Sequence, residues 1–358
     1  MNINAFKKQL DDLGIQYKEA VSLAPFSTFK IGGPADILVE ASSIDELVSI
    51  VKAAKEHDVP LTMLGWGSNV LISDKGIRGV VLRNRAEKIT ITDGKRDDES
   101  AGKNQNKSET EGTNEKARLD QLEPEKYYSF KDLDYDESSS PIAMVKIESG
   151  AGLPVTIARL IRNGLTGLQW FGGIPGTIGG AIYNNIHGGS HFIAEYIDSV
   201  EIFDPQSAAI KEIKAKDCEF GYDYSRFHKS GEIILSALFK LYKGDPDKAK
   251  YVYQEWTRRK SLQPQKSAGC VWKNLSEKER ERLGLESGGW GYIIDKILNL
   301  KGKRSGDAII STKHAAFIEN TGHAKAKDVI NLMDLIKKES LKKLGIEPKS
   351  EIFIIGEK

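Results

Sequence analysis

The chain has 358 residues, 39% of them hydrophobic, with 52 basic side chains against 51 acidic ones. Such a length and apolar content suit about two domains, and a net charge near zero offers no global attraction to nucleic acid or to an anionic membrane. Two cysteines, Cys218 and Cys270, cannot build a disulfide framework, and no Cys/His cluster has the spacing of a zinc site, so no metal is expected and a reducing compartment, the cytoplasm, is.

The N-terminal "MNINAFKKQLDDLGIQY" lacks the continuous apolar stretch of a signal peptide, and no run approaches the roughly 20 apolar residues of a membrane span. Within it Ile3, Phe6, Leu10 and Leu13 recur at helical spacing, with Gly14 as the stop. "ADILVEA" reads as a strand. "SIDELVSIVKAAKEHD" reads as a helix opened by a capping box from Ser43 to Glu46, with Ile44, Leu47, Val51 and Ala54 on one face. The strands "PLTMLG" and "GVVLRN" follow, and this order argues for layered helices and sheet.

From Gly94 to Arg118 the apolar residues are Ala101 and Ala117 alone. That segment cannot bury enough surface to offset an ordering entropy of about 1–2 kcal/mol per residue, so a disordered surface insertion is expected over about 93–142, without a catalytic role. The flanking "KITIT" and "AMVKIESGAG" both alternate like strands, so the insertion is expected to join neighbouring strands of one sheet. "LPVTIARLIRNG" is a helix with Pro154 in its first turn and Gly164 as its stop. Farther on, "SVEIFD", "IKEIKA" and "EIILSALFKLY" read as strands, and "DKAKYVYQEWTRRKS" as a basic helix at a domain boundary. A long helix through Val329, Leu332, Met333 and Ile336 ends near Gly345, and "EIFIIG" is the last strand.

Two glycine-rich loops stand out. In "GWGSN", Gly65 and Gly67 would let backbone N–H groups converge on an anion, with Ser68 and Asn69 adding donors; an ordinary tight turn explains the motif as well. It matches neither a dinucleotide fingerprint of the Rossmann type nor a P-loop. In "FGGIPGTIGG", Gly172, Gly173, Ile174, Pro175, Gly176, Thr177, Gly179 and Gly180 form a loop too long for a simple turn, which suggests backbone lying against a flat or phosphorylated ligand. The small, polar setting of Cys270 in "SAGCVWKN" fits a buried structural thiol or a reactive one.

From about Phe26 to Gly356, outside the insertion, the chain resembles the UDP-N-acetylenolpyruvoylglucosamine reductases, flavoenzymes of peptidoglycan precursor synthesis. The segments that carry the resemblance are "FSTFKIGGPADILVEA", "LGWGSNVLIS", "GLTGLQWFGGIPGTIGGAIYNN", "SAGCVWKN", "KHAAFIENTGHAKAKDV" and "EIFIIG", in that order. It implies an α+β protein: a two-subdomain FAD-binding region of the PCMH, or vanillyl-alcohol-oxidase, type over 26–243, and a C-terminal α+β substrate domain over 250–356 whose last strand packs back on the N-terminal region. FAD would lie between the glycine loops, its pyrophosphate on Gly65–Asn69 and its isoalloxazine near Gly172–Gly180. NADPH and UDP-N-acetylglucosamine enolpyruvate would use one cleft in turn, as small-molecule partners of a monomer.

The implied chemistry leaves an enolate beside the substrate carboxylate, which needs an acid and nearby cations. The family usually has a serine as proton donor where this chain has Cys270, and a thiol, with a reference pKa of about 8.5, is a stronger acid than an alcohol. Glu351 matches the family's second catalytic position. Tyr222, Lys273 and Asn274 match substrate contacts, His314 a contact to substrate or flavin, and Lys273 is expected to lower the thiol's pKa. One departure stands out in "FGYDYSRF", where Asp223 replaces the arginine that stabilises the enolate. If the segment is a helical turn, Arg226 shares a face with position 223 and is expected to take that part. The short stretch before "SAGCVWKN" resembles the subgroup without an extra substrate-capping loop.

Three other readings stay open in the sequence. A different FAD oxidoreductase of the same fold would need no acid at 270 and no carboxylate at 351. A flavin-binding protein whose activity was lost with Asp223 would hold FAD without turnover. A cysteine hydrolase would need a histidine beside Cys270, and none is near it in sequence.

Overall fold

Helix α1 (Ile3–Asp12) buries Phe6 and Leu10 and ends at Gly14, whose φ of +71° few other residues tolerate. It packs on α2 (Ile44–Glu56), where the Ser43 side chain accepts from the Glu46 N–H. The Glu46 carboxylate turns to the Ser42 N–H, at 2.7 Å, so the expected box closes one residue early. These coordinates are a computed structural model describing residues 1–91 and 133–357; most of the insertion expected over 93–142 lies outside the described residues.

The helices cover a four-stranded sheet of order β1-β2-β5-β3, formed by β1 (Tyr17–Ser22), β2 (Pro34–Ala41), β3 (Leu61–Met63) and β5 (Ile77–Asn84). Only the β1–β2 edge is antiparallel; β5 runs parallel to both its neighbours. Between β3 and β5 lies β4 (Val70–Ile72), which sequence reasoning left inside the glycine loop.

A second, antiparallel sheet has the order β11-β10-β12-β7-β6. Its strands β6 (Ile89–Ile91) and β7 (Ile142–Glu148) flank the insertion and pair Ile89 with Ile147, as the alternation on either side predicts. Helices α3 (Leu153–Arg162) and α4 (Ile178–Asn184) follow, then the small hairpin β8 (His187–Gly188) and β9 (His191–Phe192). Strands β10 (Ile197–Asp204), β11 (Ala209–Lys214) and β12 (Ile233–Tyr242) complete the sheet. Phe203, Ile233 and Leu235 of this sheet lie in one core with Phe6, Leu47 and Val80, which joins the two sheets.

The basic helix α5 (Pro246–Ser261) puts Ala249, Val252 and Trp256 into the core of the second sheet, against Phe171 and Ile157. Beyond it, β13 (Arg304–Ser305), β14 (Ala308–Ile310) and β15 (Ile318–Asn320) form a three-stranded sheet under α6 (Ala326–Leu344). Trp272 and Trp290 are fully buried there with Met333 and Ile336, and Phe29, Ile31 and Leu71 from the N-terminal part enter the same core. Truncation of an aromatic so placed costs about 3–5 kcal/mol, so the C-terminal part is firmly seated on the N-terminal one. Strand β16 (Phe353–Ile355) then pairs in parallel with β4, Phe353 opposite Val70.

Candidate active site

Three segments far apart in sequence meet beside β4. The Ser68 hydroxyl donates to the Pro175 carbonyl at 2.8 Å, which ties one glycine loop to the other. Asn69 donates through Nδ2 to the Glu351 carbonyl at 3.2 Å, and the Phe353 N–H returns to the Asn69 carbonyl at 3.0 Å. The first loop is thereby fastened both to the second and to the last strand.

Gly67 has a φ of +63°, and a Cβ there would stand 2.3 Å from the Phe26 carbonyl oxygen, so only glycine lets the loop lie this close to Phe26. Gly176, at φ +149°, has an open outer side, the Ser68 hydroxyl at 3.5 Å being its near neighbour. Beside the first loop a cavity of about 300 Å³ is lined by Phe26, Thr28, Lys30, Trp66, Arg83 and Arg85. Arg83 stacks over Phe26 at 4.7 Å, and its buried Nε has no hydrogen-bond partner. Three cations, a tryptophan ring and an unsatisfied donor suit a large aromatic ligand that carries phosphate.

Cys270 and Glu351 are brought together by backbone pairing. The Glu351 N–H donates to the Val271 carbonyl at 2.8 Å, and the Lys273 N–H to the Lys349 carbonyl at 2.9 Å. Trp272 bridges to Ser350 between them. Trp290 Nε1 donates to the Lys273 carbonyl at 2.9 Å and pins that strand from behind. The Lys273 ammonium reaches across to the Asp223 carbonyl at 3.0 Å.

The electrostatics follow from burial and from these neighbours. Burial, reinforced by Glu351 and Asp223 and opposed by Lys260, pushes the Cys270 thiol up to about 12. Burial and Asp223 push Glu351 up to about 8, against Lys273 and Lys260. Both groups carry their protons at neutral pH, with Lys260 beside each of them. Partial burial, then Asp223, Glu351 and Cys270, raise the Tyr222 hydroxyl, and Asn274 bonds to it. The predicted Cys270, Glu351, Tyr222, Lys273 and Asn274 therefore gather in one place.

Lys260 was not among the predicted residues. Its stem packs where a Cβ on Gly173 would fall, 3.0 Å from Lys260 Cβ, so it reaches from the second glycine loop to Cys270 and Glu351. Burial lowers its pKa, while Cys270 and Glu351 pull it back up. It is Lys260, not Lys273 as expected, whose charge acts on the thiol. In the sequence it is one of several cations closing a basic helix, where a solvated end facing the helix dipole is the ordinary explanation.

One predicted residue, Arg226, is placed elsewhere. The segment around Asp223 is not a helical turn: Gly221 and Tyr224 exchange backbone hydrogen bonds of 3.0 and 3.3 Å, and Asp223 has a left-handed φ of +47°. Arg226 therefore does not share a face with position 223. Its guanidinium grips Glu232 through Nε and Nη2, both at 3.1 Å, and donates to the Asp217 carbonyl. His314 accepts the Ala316 N–H at 3.2 Å and packs on Gly291 and Phe317. Arg226→Ala is expected to leave turnover per folded molecule within a few-fold while lowering stability by about 1–3 kcal/mol, as steady-state rates beside urea unfolding would show.

Among the described residues no cluster of three or more His, Cys, Asp or Glu could hold a metal, and no helix is long and apolar enough to cross a membrane. A family model described as the C-terminal domain of UDP-N-acetylenolpyruvoylglucosamine reductase matches residues 262–355, and an FAD binding domain matches 35–98. The UDP-N-acetylenolpyruvoylglucosamine reductase of Clostridium novyi (strain NT) is 30% identical over 96% of this chain and 93% of its own length. That of Pediococcus pentosaceus is 31% identical, covering 96% and 95%. The crystal structure of UDP-N-acetylenolpyruvylglucosamine reductase (MurB) from Thermus caldophilus superposes with a TM-score of 0.64 at 26% identity, over 95% of this chain and 98% of that one.

Proposed function

The chain belongs to the UDP-N-acetylenolpyruvoylglucosamine reductase family, and from that premise we infer that it reduces UDP-N-acetylglucosamine enolpyruvate to UDP-N-acetylmuramate with FAD and NADPH, a step of peptidoglycan precursor synthesis. FAD, when held there, would supply the hydride chemistry that links NADPH to the methylene carbon of the enolpyruvyl ether. The glycine loops at Gly65–Asn69 and Gly172–Gly180 and the basic, aromatic cavity beside Trp66 are the groups we assign to holding it.

The residues of the candidate site then have distinct parts. Hydride addition leaves negative charge on the carbon next to the substrate carboxylate, as an enolate. Cys270 gives its Sγ proton to that carbon, and its raised pKa keeps the proton in place beforehand. Glu351, protonated at neutral pH, donates its O–H to the enolate oxygen. Lys260 and Lys273 offset the growing charge, while Tyr222 and Asn274 hold the substrate. The observation that carries this reading is the convergence of Cys270 and Glu351, through the Glu351 N–H to Val271 carbonyl bond, next to two tied glycine loops.

We also place the domain boundary after Ser261, since α5 lies in the core of the second sheet and the C-terminal family match begins at residue 262. Two free cysteines suit a reducing cytoplasm, and we propose that the protein acts as a monomer. An anaerobic visible spectrum tests the activity. Flavin bands should bleach with NADPH and return with UDP-N-acetylglucosamine enolpyruvate. Bands that bleach but do not return with this substrate would overturn the reading.

A further inference from the structure

Asp223 is nine-tenths buried, and its Oδ2 lies in the protein without a hydrogen-bond partner. Through its carbonyl it anchors Lys273, and its charge reaches Glu351, Cys270 and Tyr222, so it stands at the candidate site. A lone carboxylate there would repel a substrate that is itself a carboxylate and a diphosphate. The side chain does have one neighbour of opposite character. His187 Nδ1 lies 3.4 Å from Asp223 Oδ1, with the imidazole about one-third exposed and the carboxylate largely covered.

His187 occupies β8, one short helix beyond the second glycine loop. Its ring packs against Tyr222, centroids 5.0 Å apart, and Phe192, 5.7 Å apart, which also meet each other at 6.4 Å. Among the described residues its Nε2 makes no hydrogen bond.

We propose that His187 and Asp223 work as a dyad in which the imidazolium of His187 supplies the positive charge that position 223, as an aspartate, cannot. Asp223 accepts from Nδ1–H and fixes the ring, and Nε2–H is left to donate to an anionic group of the substrate. The pair is neutral as a whole, so the buried carboxylate no longer repels substrate. The groups that face it are Tyr222 on the same turn, Lys273 and Cys270 from the segment after α5, Glu351 from just before the last strand and His228 from the short helix after the turn. The assignment rests on the reductase reading above and adds a positioning pair to it.

The test is reoxidation of the NADPH-reduced, FAD-loaded protein by UDP-N-acetylglucosamine enolpyruvate in His187→Gln, Asp223→Asn and the double variant His187→Gln/Asp223→Arg. His187→Gln should slow reoxidation by about a hundredfold while NADPH bleaching and flavin content stay as in the parent. Asp223→Asn should slow reoxidation by about tenfold, because the ring loses the carboxylate that orients it. The double variant, with a guanidinium restored, should recover to within about tenfold of the parent. Parental rates in His187→Gln at every pH would overturn the dyad. So would an unchanged rate of reoxidation in Asp223→Asn. A parent that bleaches with NADPH but is not reoxidised by this substrate would instead overturn the reductase reading itself.

Discussion

Cys270→Ala is expected to slow reoxidation of the reduced enzyme by substrate by about 10²- to 10⁴-fold, while reduction by NADPH proceeds at the parental rate. The two half-reactions separate because the thiol has no part in the first. In the second, the carbon next to the substrate carboxylate must receive a proton inside a site that excludes bulk water, and the Cys270 thiol is the donor assigned to it. Desolvation, Glu351 and Asp223 hold that thiol up at about 12, so it is protonated throughout the working range. Cys270→Ser should fall between parent and alanine variant, since a hydroxyl can donate but is the weaker acid. Stopped-flow traces of both half-reactions, with a solvent isotope effect on the second, check this. Parental reoxidation in the alanine variant would remove Cys270 from the mechanism.

Glu351→Ala should lower the same rate by about 10²- to 10³-fold, the usual cost of losing one donor to a developing oxyanion. Glu351→Gln keeps a donor of similar size but cannot titrate, and so isolates the pH dependence. The parental rate should fall as pH rises through about 8, where Glu351 loses its proton, and the glutamine variant should show no such limb. Stability carries the same sign. The folded state binds this proton more tightly than the unfolded chain, whose glutamate titrates near 4.3. The carboxyl's contribution is therefore fully present below about 4.3 and lost as pH rises towards about 8. Urea midpoints at both ends of that window should decline in the parent and less so in Glu351→Gln.

Much of this architecture was legible because it depends on local pattern. The period-two alternation on both sides of the insertion is enough to pair Ile89 with Ile147, and Gly14 and Gly345 stop their helices where a left-handed residue is needed. The resemblance brought Cys270, Glu351, Lys273 and Tyr222 into one site although they are scattered through the chain. What stayed hidden depends on backbone geometry that residue types do not announce. The left-handed Asp223 breaks the three-residue periodicity on which Arg226 depended, and Glu232, six residues on, offers that guanidinium a bidentate partner. Lys260 and His187 were missed for a related reason. Each looks ordinary in its own stretch and acquires meaning only through a neighbour ten or more residues away, Cys270 for one and Asp223 for the other.

The pairing of β16 with β4 also sets a timetable. Asn69 and Glu351, 282 residues apart, are joined by a side-chain bond, and the strand that follows Glu351 lies parallel to the one that follows Asn69. During synthesis the first sheet, the second sheet and Cys270 all emerge before the segment that completes their common cleft. Contacts of such long sequence separation are also the slow ones to form. A newly made chain therefore passes through an interval in which the thiol site is half built, and that interval closes only when β16 docks on β4.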